Sequence, residues 1–120
     1  MRIFKNTWFT RFAEKEGITD AELRGLVDLL EAGQPDADLG GGVYKMRLAR
    51  PGEGKSGGYR AIVFFRSEER TFYEYCFAKS NRGNISRRLL KYYKETAKRY
   101  LSMTPVLLRE KIEKGKFVEL

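Results

Sequence analysis

Three cations at strand spacing stand out in a chain of 120 residues that has no histidine. Lys45 and Arg47 lie in a run that alternates Val43, Lys45 and Arg47 against Tyr44, Met46 and Leu48, so both cations leave a strand on one face. Their Cα atoms are then roughly 6.6 Å apart, near the phosphate repeat of a nucleic-acid strand. Arg60 falls early in the next apolar run, Tyr59–Arg66, beyond the turn region Pro51–Gly58, and can join the same face. Buried unpaired charge is costly, so cations aimed one way from paired strands point to an anionic ligand. The plain alternative is a solvated face neutralised by Glu53 and Glu74. The chemistry such a cluster can perform is on a phosphodiester. Attack by a 2′-hydroxyl needs a base, charge stabilisation at the phosphorane and a proton for the leaving oxygen. Cationic neighbours make an ammonium easier to deprotonate, so Lys45 is the candidate base, with Arg47 and Arg60 as the phosphate clamp.

Other residues extend this reading. Arg50 and Lys55 flank the glycine-rich turn and are candidate backbone contacts, as are Arg82, in the polar loop Lys79–Asn84, and Arg87 and Arg88 at the start of a basic helix. Lys79 closes the last strong strand. Of the aromatic set Tyr59, Phe72, Tyr73, Tyr75 and Phe77, one face must be core and the other can stack bases. Ala49–Ser56, ARPGEGKS, satisfies a relaxed phosphate-loop pattern. A phosphate loop needs a helix directly after its serine; here Gly57-Gly58 and a strand follow, which argues against nucleotide hydrolysis. Cys76, the single cysteine, sits in an apolar strand with no histidine to activate it, so a buried structural thiol is expected. Neither metal nor cofactor is expected.

The elements that must position these residues follow from periodicity. Ile3 and Phe4 mark a short candidate strand, Arg2–Lys5. Trp8, Phe9, Phe12 and Ala13 give a helix over Thr7–Glu16, capped by Thr7 and ended by Gly17. Thr19 and Glu22 form a capping box for a second helix carrying Leu23, Leu26, Val27 and Leu30. Gly40–Gly42 is a flexible entry to the three-strand meander Val43–Ala49, Tyr59–Arg66 and Thr71–Ala78. A long helix runs from Ser86 to about Leu101, a shorter one starts at Pro105 and ends by Gly115, and Lys116–Leu120 can add a strand. This is an α+β layout: an N-terminal helical hairpin packed on a small antiparallel β-sheet, with C-terminal helices.

Bulk properties agree with a nucleic-acid partner. Net charge is +8, and residues 1–42 carry 5 basic and 8 acidic side chains against 15 and 5 in residues 43–100. Charge concentrated in this way is the footprint of a polyanion partner. The single cysteine excludes an intrachain disulfide. MRIFKNTWF lacks the apolar run of a signal peptide, and no stretch approaches the ~18 apolar residues of a membrane span. A cytoplasmic protein with no membrane partner is expected.

Together these residues resemble the RelE/HigB toxins of bacterial type II toxin–antitoxin systems, most clearly in VYKMRLARPGEGKSGGYRAIVFF (43–65) and RTFYEYCFAKSN (70–81). The resemblance implies a toxin domain over 1–101, with 102–120 a helix-plus-strand extension of it. It implies metal-independent cleavage of mRNA in the ribosomal A site through 2′-hydroxyl attack. The implied partner is a cognate antitoxin of helix-turn-helix type, with DNA reached only through the antitoxin complex. Lys45 and Arg47 match the family's two basic strand positions, Arg60 its phosphate-stabilising arginine, and Lys79 the lysine after the last strand. The chain departs from the RelE pattern at Ser80, where an arginine is usual and Arg82 is the nearby substitute, and at Ser86, where a tyrosine is usual. Two rival functions share the fold: a ParE-like DNA gyrase inhibitor and a non-catalytic nucleic-acid-binding relative.

Overall fold

A computed structural model describes residues 1–50, 54–78 and 85–120, with no account of the side chains of residue 50 or 54–57. Among the described residues there are six strands and four helices, in the order β1 (Arg2–Asn6), α1 (Thr7–Glu16), α2 (Asp20–Glu31), β2 (Ala37–Gly40), β3 (Val43–Arg50), β4 (Gly54–Arg66), β5 (Arg70–Ala78), α3 (Arg87–Leu101), α4 (Pro105–Glu113) and β6 (Phe117–Glu119). All six strands form one sheet in the order β2-β3-β4-β5-β1-β6.

The expected small antiparallel sheet fronted by an N-terminal hairpin needs two corrections. The candidate strand Arg2–Lys5 forms, as β1, so a strand and not the hairpin comes first, and β1 pairs in parallel with β5 and antiparallel with β6, so the sheet is mixed. The physical reason is Phe4, which is fully buried between Phe72 and Phe117; five residues with two apolar members are a weak signal for an inner strand. β2 is the second addition, pairing Ala37 with Lys45 and Asp38 with Tyr44. β4 also begins earlier than expected, since Gly54 already pairs with Arg50. The GKSGG segment is therefore strand, and no helix follows Ser56, as the rejection of a phosphate loop requires.

Helices cover both faces of the sheet. The α1–α2 hairpin lays Phe9, Ala13, Leu23, Leu26, Val27 and Leu30 on one side, over Met46, Ala61, Val63 and Tyr73. The capping box at Thr19 and Glu22 is formed, while the cap of α1 is Asn6, one residue before the expected Thr7. On the other face α3 and α4 bury Tyr93, Ala97, Leu101 and Leu108 against Val43, Ile62, Phe64 and Phe72. The C-terminal carbonyls of α3 are gripped by the arginines that flank the β4–β5 turn: Arg66 Nη1 donates to Leu101 O at 3.0 Å and Arg70 Nη1 to Tyr100 O at 3.1 Å. Cations at a helix C-terminus also meet the negative end of its dipole. Pinned in this way, α3 directs its N-terminus toward the end of the sheet where β5 finishes.

Candidate functional site

The β3–β4 ladder sets the geometry. Arg47 pairs with Arg60 and Lys45 with Ile62; across β5 the same rows continue to Phe77 and Tyr75. Val43, Ile62 and Phe64 belong to the α3-side core, so Lys45, Arg47 and Arg60 share that face, as their spacing predicts. Opposed residues on antiparallel strands sit about 4.5–5.5 Å apart, and like charges so placed repel. An anion seated between Arg47 and Arg60 relieves that repulsion. Arg60 is only 8 % exposed and its Nη1 donates to Tyr59 O at 3.2 Å. Lys45 is half-buried and Arg47 exposed, so the three cations descend from the surface into the sheet.

Neutralisation comes from an unexpected quarter. Asp36, in the turn before β2, accepts the Arg47 backbone N–H at 2.5 Å and places its other oxygen 3.6 Å from Arg47 Nε. β2 starts at Ala37, so the carboxylate takes over the ladder where the strand has not begun. Glu74, one of the two expected neutralisers, is occupied elsewhere: Asn6 Nδ2 donates to its carbonyl at 2.9 Å and to its Oε1 at 3.1 Å. It falls at the irregularity where the register passes from Ile62–Tyr75 to Val63–Tyr73. Burial pushes the Glu74 carboxyl up to about 7, against the opposing pull of the Asn6 hydrogen bond and the Arg99 charge.

The aromatic set divides between the faces. Tyr59 and Tyr73 lie under the hairpin and Phe72 is core. Tyr73 Oη donates to Leu23 O, and burial raises its ionisation well above the usual phenol range. Tyr75 and Phe77 remain on the cation face, with Tyr75 packed against Trp8 at 4.2 Å between ring centroids. Trp8 is 40 % exposed, and its spacing in the sequence marks it only as a helix-face residue. Cys76 is buried, and burial pushes its thiol up to about 12, which leaves it protonated and unreactive.

Among the nucleic-acid candidates, Arg87 and Arg88 are exposed in the first turn of α3, capped by Ser86 through its hydrogen bond from Leu89 N–H at 3.1 Å. Lys94, one helical stripe further, lies against the Gly40–Gly41 turn. Lys79, Ser80 and Arg82 lie outside the described residues, as does Glu53, and the side chains of Arg50 and Lys55 are likewise outside them. Among the described residues, no helix is long and apolar enough to cross a membrane.

The fold and the cation face define a small basic α+β domain that carries two arginines and a lysine on one face of paired strands. All of it, residues 1–120, matches the family described as the RelE toxin of the RelE/RelB toxin–antitoxin system, and the chain belongs to that family. An antitoxin partner is implied by membership. No curated protein matches the chain.

Proposed function

We propose that the protein is the toxin's catalytic type: a metal-independent endoribonuclease that cuts mRNA in the ribosomal A site and is held inactive by its antitoxin, a helix-turn-helix protein through which the pair reaches DNA. The observation that carries this reading is the Arg47–Arg60 cross-strand pair with Lys45 one step along the same face. In the proposed step Lys45 takes the proton of the 2′-hydroxyl as O2′ bonds to the adjacent phosphorus. The P–O5′ bond breaks, leaving a 2′,3′-cyclic phosphate and a 5′-hydroxyl protonated from solvent or a neighbouring ammonium. Arg60, fixed by burial, and Arg47 hold the phosphoryl oxygens through charge-assisted bonds, and Lys79 is given a catalytic role by resemblance alone. Exposed Arg87 and Arg88, together with Arg50, Lys55 and Arg82, are assigned to the RNA backbone.

The test is induction in cells followed by mapping of mRNA 5′ ends. Codon-phased cuts are expected, lost by at least 100-fold in Lys45→Ala and Arg60→Ala. A DNA-damage response without cuts would identify a gyrase inhibitor instead. Growth without arrest or cuts would leave a nucleic-acid-binding relative.

A further inference from the structure

At the other end of α3 from Arg87, two neighbouring cavities open where the end of α3, α4, the start of α1 and β6 meet. One, of about 270 Å³, is lined by Asn6, Thr7, Trp8, Tyr100, Lys111, Lys116 and Phe117. The other, of about 540 Å³, includes Arg99, Met103, Leu107 and, again, Tyr100 and Lys111. Tyr100 and Lys111 join them into one groove. Its floor is aromatic and aliphatic, its rim carries Arg99, Lys111 and Lys116, and neither cavity has an acidic lining residue. α4 turns Leu108 fully inward while Leu107 stays 40 % exposed and Val106 more so. Exposed apolar side chains gathered beside a cavity and bordered by charge mark a protein-binding surface.

We infer that this groove docks an acidic, amphipathic segment of the antitoxin, with Trp8 and Leu107 as apolar anchors and Lys111 and Lys116 pairing with carboxylates. Charge selects this occupant. A second copy of a chain of net charge +8 would bring cations against cations. A nucleic-acid backbone has no use for the aliphatic Met103–Leu107 wall. The groove lies at the C-terminal end of α3, whereas Arg87 begins that helix; about 18 Å of helix axis separates Arg99 from Arg87. The segment therefore grips the toxin at a distance from the phosphate-binding cations, leaving a different part of the antitoxin to act on that face. The inference rests on the antitoxin partnership and not on the cleavage chemistry.

The experiment measures binding alone, by titration calorimetry, between the full chain and the purified product of the adjacent reading frame. Leu107→Asp and the pair Lys111→Glu/Lys116→Glu replace side chains at the surface, and circular dichroism checks that they remain folded. A rise in Kd of at least tenfold is expected for each, with a change below threefold for Lys91→Glu on the far stretch of α3. Affinity within twofold of the unaltered chain in the groove variants overturns the inference. An equal loss in Lys91→Glu also overturns it, because general charge attraction would then suffice. If the chain alone sediments as a dimer that Leu107→Asp dissociates, or if the lysine pair weakens binding of single-stranded RNA instead, the groove has a different occupant. Loss of mRNA cuts in cells has no bearing on these readouts, so the two readings fail separately.

Discussion

Asp36 and Arg47 show how little of a side chain's behaviour its own strand determines. The carboxylate holds the Arg47 backbone and guanidinium together, so a phosphate arriving at Arg47 must compete with it. Asp36→Asn keeps an oxygen for the backbone N–H and removes the competing charge. RNA affinity should rise a few-fold, and the slope of log K against log salt should steepen by about 0.7, the increment for one added phosphate contact. Anisotropy titrations in a salt series measure both, and an unchanged slope would mean that Arg47 meets no phosphate. Glu74 gives a second prediction at this scale. Its carboxyl titrates near 7 in the folded protein against about 4.5 when exposed, so folding favours the protonated form. The stability that this supplies is complete below about pH 4.5 and is lost as pH rises toward and through 7. Glu74→Gln retains an acceptor for Asn6 and should flatten that part of the pH profile. At pH 8 it should raise stability by on the order of 2–3 kcal/mol, as urea unfolding at a series of pH values would reveal.

At the scale of elements, the turn between β2 and β3 is tightly constrained. Gly40, Gly41 and Gly42 all have positive φ, and a Cβ on Gly42 would lie 2.7 Å from Leu101 Cδ1. Leu101 is core on the α3 side, so it has little room to withdraw. Gly42→Ala should cost about 1–3 kcal/mol from backbone strain and displacement of α3, measured as a lower urea midpoint with an unchanged slope. The helices were legible because each carries its own punctuation: the Thr19–Glu22 box, Gly17 after α1 and Pro105 at the start of α4. β3, β4 and β5 announced themselves by alternation and β-branched or aromatic runs. β2 did not, since Ala37–Gly40 has one large apolar residue beside three glycines, and it exists only because β3 offers it an edge. Of the site, Lys45, Arg47 and Arg60 could be read together because period-two geometry is local. Asp36 and Trp8 could not, since their placement depends on a turn and on Tyr75, which no spacing rule connects to them.

For the whole molecule, the last strand is structural and not an appendage. Phe117 meets Phe4 at 6.2 Å, Phe72 at 5.1 Å and Tyr100 at 5.0 Å between centroids, tying both ends of the chain to α3. Phe117→Ala should cost about 3–5 kcal/mol in equilibrium unfolding. A loss below 1 kcal/mol would show that β6 is only loosely laid on the edge.

The place of β1 has a consequence in time. Arg2 and Glu119 clasp each other through two hydrogen bonds of 2.9 Å although they stand 117 positions apart. At 5–20 residues per second, on the order of ten seconds of synthesis separate them. β1 can pair with β5 as soon as that strand is made, but its other edge stays open until β6 arrives, so this margin of the sheet is the last to close.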